Sequence, residues 1–196
     1  MGEGPSGIGR SGRAVTEREG SGMSVPDIGG RVIKVGIVYS GSRHYGGTET
    51  YLEMLFSGYD RSRIVPRLFA LGEWELTDRI AAMEEKVTIL PSLRIRPRTI
   101  AELADKLVSA DYDVVVTQGT VANFYGRQAA RRAHKPVVTI VHSELVADHP
   151  SSLVRAAYRL ADRLTRASTT RFVTVSHHLK EVLVRSGVAA KDVAVV

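Results

Sequence analysis

The segment 34–56 combines three patterns in direct succession. It begins with a short apolar run at 35–39, which is typical of a buried parallel strand. A loop containing Gly41, Gly46 and Gly47 follows, and large apolar residues then recur at helical spacing. The segment therefore predicts a strand, a glycine loop and a helix, which is the opening unit of many parallel α/β sheets.

The loop between this strand and this helix is suited to binding an anion. Backbone N–H groups and the positive end of the helix dipole converge there, at the carboxyl edge of the predicted sheet. Gly46 and Gly47 have no Cβ that would keep a ligand away. A tight turn without any ligand would use the same pair of glycines, so the motif alone does not decide between the two interpretations.

Further apolar runs alternate with helical patterns along the rest of the chain. After 35–39, we predict strands at 64–71, 87–90, 112–117, 137–141, 172–175 and 193–196. Seven strands alternating with helices predict a doubly wound, Rossmann-like parallel sheet with helices on both faces. Pro66 suggests an edge or irregular position for the second strand, because proline cannot donate to a sheet ladder.

The helical segments carry recognisable end signals. Thr99 and Glu102 have the spacing of a capping box, followed by an apolar face that includes Val108. Ser176 is a typical N-cap for a last helix that stops at Gly187. Glu49 and Glu53 are expected on the polar face of the first helix, and Glu49 is expected to hydrogen-bond the glycine loop or to complement the helix N-terminus.

Composition indicates one well-cored domain at 31–196, since a chain of 196 residues with 43% hydrophobic residues is too short for two full ones. Residues 1–30 are rich in glycine and poor in large apolar residues, which predicts a disordered tail or an added leader whose origin the sequence does not establish. The absence of cysteine excludes disulfides and thiolate metal sites and favours a cytoplasmic protein. No apolar run approaches the roughly 18 residues of a membrane-spanning helix.

Polar residues gather where the predicted strands end. Ligands of doubly wound sheets bind beyond the carboxyl ends of the strands. The segments that follow directly are 40–47, 71–74, 117–123, 142–144 and 176–178. Two common nucleotide-binding classes are excluded by the first of these segments, because it has neither the Gly-x-Gly-x-x-Gly of dehydrogenases nor the Gly-Lys-Ser/Thr of P-loop hydrolases.

The order of motifs from 32 to 196 resembles the N-terminal half of family 4 retaining glycosyltransferases of the GT-B architecture. Four pieces carry the resemblance, each at the end of a predicted strand or helix. They are Gly-Gly-Thr-Glu at 46–49, Lys-Pro-Val-Val-Thr-Ile-Val-His at 135–142, Val-Ser-His-His-Leu-Lys-Glu-Val-Leu at 175–183 and Gly-Val-Ala-Ala-Lys-Asp-Val-Ala-Val-Val at 187–196.

The resemblance implies transfer of a sugar from a nucleotide diphosphate sugar to an acceptor, with retention and without a metal cofactor. It places Gly46 and Gly47 at the donor diphosphate and His142 beside the transferred sugar, as the catalytic candidate. A strand-end histidine satisfied by backbone groups is the alternative for His142. The polar residues expected to contact the acceptor are Tyr45, Gln118, Asn123 and Glu144. Gln118 departs from the histidine that many members have there, which leaves the acceptor's identity open.

The expected partners are a nucleotide sugar and an acceptor that is a small molecule, a saccharide or a lipid-linked molecule. In the family, a second domain supplies most of the nucleotide-sugar pocket, so we expect this chain to be the acceptor-side domain, with the donor-binding domain absent and without turnover by itself. The alternative is a complete, non-catalytic ligand-binding or regulatory module of the same fold. Nucleic acid is not an expected partner, because the sequence has no recognition-helix, zinc-finger or basic-aromatic pattern.

A helix predicted at 151–167 carries a row of arginines. Arg155, Arg159, Arg163 and Arg166 line one face, and the leucines among them are expected to be buried on the other. Such a row is usually a solvated face. With the formal net charge of +6, it also suggests peripheral contact with an anionic membrane at its inner face, joined by the basic segment 94–98.

Overall fold

The computed structural model describes residues 30–41, 45–90, 97–143 and 151–196. Helices and strands alternate through all of these segments. In chain order they are β1 (Ile33–Tyr39), α1 (Gly47–Gly58), β2 (Ile64–Ala70), α2 (Glu75–Ala82), β3 (Val87–Ile89), α3 (Pro97–Ser109), β4 (Val114–Gln118), α4 (Thr120–Arg132), β5 (Val137–Val141), α5 (Ser152–Arg166), β6 (Arg171–Thr174), α6 (His177–Arg185) and β7 (Val193–Val195).

The seven strands form one sheet in the order β3-β2-β1-β4-β5-β6-β7, and every pair is parallel. Successive side chains of a strand point to opposite faces of the sheet, so neighbouring residues of β1 belong to different hydrophobic cores. Ile37 packs with residues of α1 and α2, whereas Val38 packs with residues of α3 and α4. The Rossmann-like fold predicted from the sequence is confirmed, with helices on both faces of the sheet.

The strand order reverses between β1 and β4. From β1 the chain proceeds through α1 to β2 on one side, whereas β4 lies on the other side of β1 and continues to β5. The loops that leave β1 and β4 therefore diverge and open a crevice beyond the carboxyl ends of these strands. This topology fixes where a ligand of the sheet binds.

The structure tests three local predictions. Pro66 lies in an interior strand, but β3 pairs with β2 only at 68–70, so the nitrogen of Pro66 faces a side where β3 has not yet begun. Helix α3 begins at Pro97, so Thr99 is a buried residue within its first turn and the predicted capping box is wrong. Proline is favoured at the first helical position, because an N–H at that position would have no partner within the helix. Val108 is 57% exposed and does not join the core.

The largest departure from the sequence analysis concerns α5. Its predicted limits are close to the observed ones, with Ser151 as N-cap and Ala167 as C-cap, but its orientation is reversed. The buried residues of α5 are Asp162 and Thr165, whereas the leucines expected in the core face outward. The prediction of which face of α5 is buried is therefore wrong.

A buried ion pair explains this orientation. Arg127 of α4 is 0% exposed, and its Nη1 donates to Asp162 Oδ1 at 2.7 Å and to Thr165 Oγ1 at 3.3 Å. Its Nε and Nη2 lie 3.4 and 3.3 Å from Thr139 Oγ1 on β5. A buried guanidinium needs such partners, since an isolated buried charge is strongly destabilising. The polar face of α5 therefore turns inward.

Candidate functional site

A cavity of about 400 Å³ lies at the crevice between the ends of β1 and β4. Its walls come from the loop after β1, the start of α1, the end of β4, the start of α4 and one side chain of α5. The lining residues are Tyr39, Ser40, Gly41, Gly46, Gly47, Thr48, Glu49, Gln118, Gly119, Thr120, Val121 and Tyr158. Two of the five strand-end segments predicted from the sequence, 40–47 and 117–123, thus meet at the place where the topology requires a binding site.

The glycine loop is open to this cavity. Gly46 is the N-cap of α1 with an extended backbone, and Gly47 is the first helical residue. Among the described residues, a Cβ added at Gly47 would meet no atom within 4 Å, so the backbone there is accessible. The amides of Gly47 and Thr48 open α1 and have no acceptor within the helix. They lie at the positive end of the helix dipole, where an anion is stabilised.

Glu49 fixes the loop from behind. Its Oε1 accepts a hydrogen bond from the hydroxyl of Tyr39 at 2.7 Å, and its Oε2 accepts one from the amide of Gly46 at 2.9 Å. The predicted bond to the loop backbone is confirmed, but Glu49 is only 5% exposed, so its predicted place on the polar face is wrong. Because Glu49 takes the Gly46 amide, Gly46 serves as a rigid cap and the open donors begin at Gly47.

A second helix N-terminus reaches the same cavity. Gly119 is the N-cap of α4, and its φ of 82° lies in the left-handed region that glycine adopts at little cost. This residue turns the chain sharply from β4 into α4 and brings Thr120 and Val121 to the cavity wall. The dipoles of α1 and α4 therefore both direct positive potential toward one space.

His142 is joined to the cavity through Gln118. Its Nε2 lies 2.9 Å from Gln118 Oε1, and its ring centroid lies 5.0 Å from that of Tyr51 on α1. An amide oxygen only accepts hydrogen bonds, so Nε2 carries the proton and Nδ1 keeps its lone pair. His142 is not one of the residues that line the cavity. Its partner is a side chain rather than the backbone groups considered above.

Burial lowers the pKa of His142 below its usual value, because the charged imidazolium loses solvation. We expect the Hε1 resonance of His142 in NMR spectra to titrate below the ordinary histidine midpoint of about 6.5. Since the unfolded chain then binds the proton more readily, stability is full above that midpoint and falls as the pH drops toward the lower, folded value. In His142→Gln this loss should be smaller. A midpoint at or above 6.5 would contradict the buried, neutral ring.

Gln118 and Asn123 are buried polar side chains with incomplete hydrogen bonding among the described residues. Gln118 is 2% exposed and Asn123 is 1% exposed. Within the described residues, Gln118 Nε2 and both polar atoms of the Asn123 side chain have no protein partner. Because nearly all buried polar atoms in native proteins are hydrogen-bonded, these atoms mark positions for a ligand or for ordered water. Only Gln118 lines the cavity itself.

Tyr45 and Glu144 are the remaining residues predicted for the site. The hydroxyl of Tyr45 donates to Glu53 at 2.6 Å and its ring stacks under Arg79, so it contacts α1 and α2 and does not line the cavity. Burial and the carboxylate of Glu53 raise the pKa of Tyr45 to about 12. Glu144 lies outside the described residues. The assignments of Gly46, Gly47, His142, Tyr45, Gln118, Asn123 and Glu144 to donor or acceptor stay predictions.

Tyr158 lines the cavity from the inner side of α5 and is not among the site residues predicted from the sequence. It was missed because the leucines of that helix were expected to face inward. In the described part of the chain, no group of three or more histidine and carboxylate side chains could hold a metal ion. The expectation of metal independence stays a prediction. None of the described helices is both long enough and apolar enough to cross a lipid bilayer.

Comparison with known proteins gives a family and a fold. Residues 46–196 match the sequence profile of the glycosyl transferase 4-like domain. No curated protein sequence matches the chain at a significant level. Solved structures with the same fold include the lipopolysaccharide outer core galactosyltransferase WaaB in its apo form, with 17% identity over 83% of this chain and 44% of that chain and a TM-score of 0.58.

Two other solved structures cover a similar part of the chain. Anabaena HepE in complex with UDP and glucose is 17% identical over 82% of this chain and 43% of its own, with a TM-score of 0.62. A UDP-N-acetylglucosamine 2-epimerase is 16% identical over 84% of this chain and 48% of its own, with a TM-score of 0.59. The chain spans less than half the length of each of these structures. At such identities the likeness concerns the fold alone.

Proposed function

The chain belongs to the glycosyl transferase 4-like domain family, and from this premise we propose that its cavity binds the diphosphate of a nucleotide sugar during transfer of the sugar to an acceptor. The GT-B resemblance recognised in the sequence is confirmed by this match and by the shared fold. Retention of the anomeric configuration belongs to the proposal. So does the requirement for a second domain, which the coverage of less than half of each solved structure supports.

The observation that carries the proposal is the open start of α1 in a cavity that a second helix also approaches. The amides of Gly47 and Thr48 are available to a phosphate, and no methyl group at residue 47 covers them. The two oxygens of Glu49 are bonded to the Tyr39 hydroxyl and the Gly46 amide, so they do not occupy the amides of Gly47 and Thr48. Fixed donors of this kind stabilise negative charge as it grows on a departing diphosphate.

The sugar and the acceptor are placed next to this anion site by Gln118. Its Oε1 is taken by His142, which leaves the buried Nε2 as a donor for a hydroxyl of a ligand in the cavity. His142 then acts by orienting that amide, and its neutral ring adds no positive charge. Tyr158 supplies an aromatic wall on the α5 side. This arrangement suits a polyhydroxylated ligand bound between the loop after β1 and α4.

Binding of UDP to the full 196-residue chain tests the proposal. The variant Gly47→Ala places a methyl group in open space within the cavity, so it leaves the fold intact and blocks approach to the amides of α1. We expect it to weaken the affinity for UDP by roughly tenfold, the value of one charge-assisted hydrogen bond. Isothermal titration calorimetry measures the affinity, and inorganic pyrophosphate serves as a second probe for the diphosphate alone.

Gly58→Ala is the matched control, because a Cβ there also meets no described atom within 4 Å but lies at the opposite end of α1. It should bind UDP as the parent chain does. Equal affinity of the parent chain and Gly47→Ala, or no affinity of the parent chain for UDP and pyrophosphate, would overturn the diphosphate assignment. Turnover of UDP-glucose by these 196 residues alone would overturn the requirement for a second domain.

A further inference from the structure

Helix α5 exposes a row of large apolar side chains. Leu153 is 80% exposed, Leu160 57% and Leu164 72%, and together these residues are named the leucine stripe. At 100° per residue they fall within an arc of roughly 40° on one side of the helix. Alanines 156 and 157 are also exposed and extend the same side. An ordinary surface helix turns such a stripe inward, so its exposure calls for an occupant.

Contacts on the inner side of α5 prevent the helix from rotating to bury the leucine stripe. Asp162 is bonded to the buried Arg127 and also pairs with Arg166 of its own helix, and Thr165 accepts a further bond from Arg127. Tyr158 lines the cavity from the same inner side. Because these contacts fix the rotation of α5, the leucine stripe is a constant outward feature of the fold.

The charges beside the stripe identify its occupant. Arg159 and Arg163 are both exposed and lie on one flank of the leucines. The helix contains a single acidic residue, Asp162, which is buried and paired, so its outward side presents positive charge without a carboxylate. Apolar side chains bordered by arginines are the pattern of a helix that lies in the surface of an anionic bilayer. A second copy of α5 would offer these arginines no opposite charge.

We propose that α5 docks on an anionic lipid surface, with the leucine stripe inserted between lipids and Arg159 and Arg163 bound to their phosphates. This goes beyond the proposed function and stands on α5 alone. Tyr158 places the cavity on the opposite side of the same helix, so docking holds the cavity about one helix diameter, roughly 10 Å, from the lipid surface. In combination with the proposed function, on which this step rests, the acceptor is then a lipid-linked molecule.

Vesicle flotation with the full 196-residue chain tests the docking. The vesicles are phosphatidylcholine alone or phosphatidylcholine with phosphatidylglycerol, without any sugar nucleotide, so the result is independent of UDP binding. We expect binding to the anionic vesicles only, weakened by added salt. Leu160→Gln combined with Leu164→Gln should lower the partition coefficient by about a hundredfold, since burying each leucine is worth about a factor of ten. Arg159→Gln and Arg163→Gln should each lower it roughly fivefold.

Exposed positions on other helices give matched controls. Val108→Gln removes an exposed apolar side chain from α3, and Arg132→Gln removes an exposed arginine from α4. Both should leave the partition coefficient unchanged, and circular dichroism confirms that every variant is folded. Equal binding to neutral and anionic vesicles, no binding, or equal effects of stripe and control variants would overturn the proposal. If the parent chain sediments as a dimer that the leucine substitutions dissociate, the occupant is a second copy and the lipid assignment is wrong.

Discussion

The variant Asp162→Asn is expected to lower the free energy of unfolding by about 3 to 5 kcal/mol, the usual cost of leaving one partner of a buried ion pair uncompensated. Arg127 is fully buried, and Asp162 Oδ1 is 2.7 Å from its Nη1. Burial lowers the pKa of Arg127, and the bond to Asp162 opposes that effect by stabilising the charged guanidinium. Without the carboxylate, the described residues offer the charge neutral partners, namely the hydroxyls of Thr139 and Thr165 and the ring of Phe172. Urea unfolding followed by far-UV circular dichroism measures the loss.

Two comparisons separate this cause from a general effect of removing a carboxylate. Glu181→Gln breaks the exposed pair between Glu181 and Arg185 on α6, and it should cost less than about 1 kcal/mol. Arg127→Met combined with Asp162→Leu removes both charges and fills the space with apolar atoms, so it should recover most of the stability lost in Asp162→Asn. A loss in Asp162→Asn no larger than that in Glu181→Gln would show that the pair does not hold α4 against α5.

The same ion pair explains what the sequence could and could not predict about α5. Its limits followed from the helical spacing of its residues, because this signal is local. Its orientation depends on Arg127, which is 35 positions away from Asp162 in sequence. Amphipathicity alone predicts that the leucines are buried. The pattern within α5 contains no information about the buried arginine on the neighbouring helix, whose charge requires a carboxylate and a hydroxyl as partners.

The site could be predicted to a similar extent. Parallel strands end at one edge of a sheet, so the sequence alone predicts that Gly47, Gln118 and His142 lie at the same rim. The structure adds their roles in the architecture. Gln118 lines the cavity, whereas His142 reaches it only through its hydrogen bond to Gln118. The helical pattern of α1 predicts that Glu49 faces solvent. That pattern does not include Tyr39, the partner of Glu49, because Tyr39 lies on β1.

Gly41→Ala is the second substitution for which we expect a large loss of stability, about 2 to 4 kcal/mol from left-handed backbone strain and overpacking together. The φ of Gly41 is +71°, and a Cβ there would lie 2.0 Å from Cε2 and 2.1 Å from Cδ2 of Trp74. An indole ring is rigid, so Trp74 or the cavity rim itself must move. Trp74 is the only tryptophan in the chain, and its fluorescence therefore reports the displacement directly while urea unfolding gives the free energy.

The comparison with Gly47→Ala makes this result specific to the rim. Both substitutions add one methyl group to a glycine that lines the cavity. The Cβ at residue 47, however, meets nothing within 4 Å in the described part of the chain, and its backbone is helical. Because alanine is favoured over glycine inside a helix, Gly47→Ala should keep the stability of the parent chain. It should also keep the tryptophan emission, and it should lose affinity for UDP. Gly41→Ala should lose stability and shift the emission. If Gly41→Ala unfolds at the same urea concentration as Gly47→Ala with unchanged emission, Trp74 does not pack against residue 41, and the rim of the cavity has a different shape.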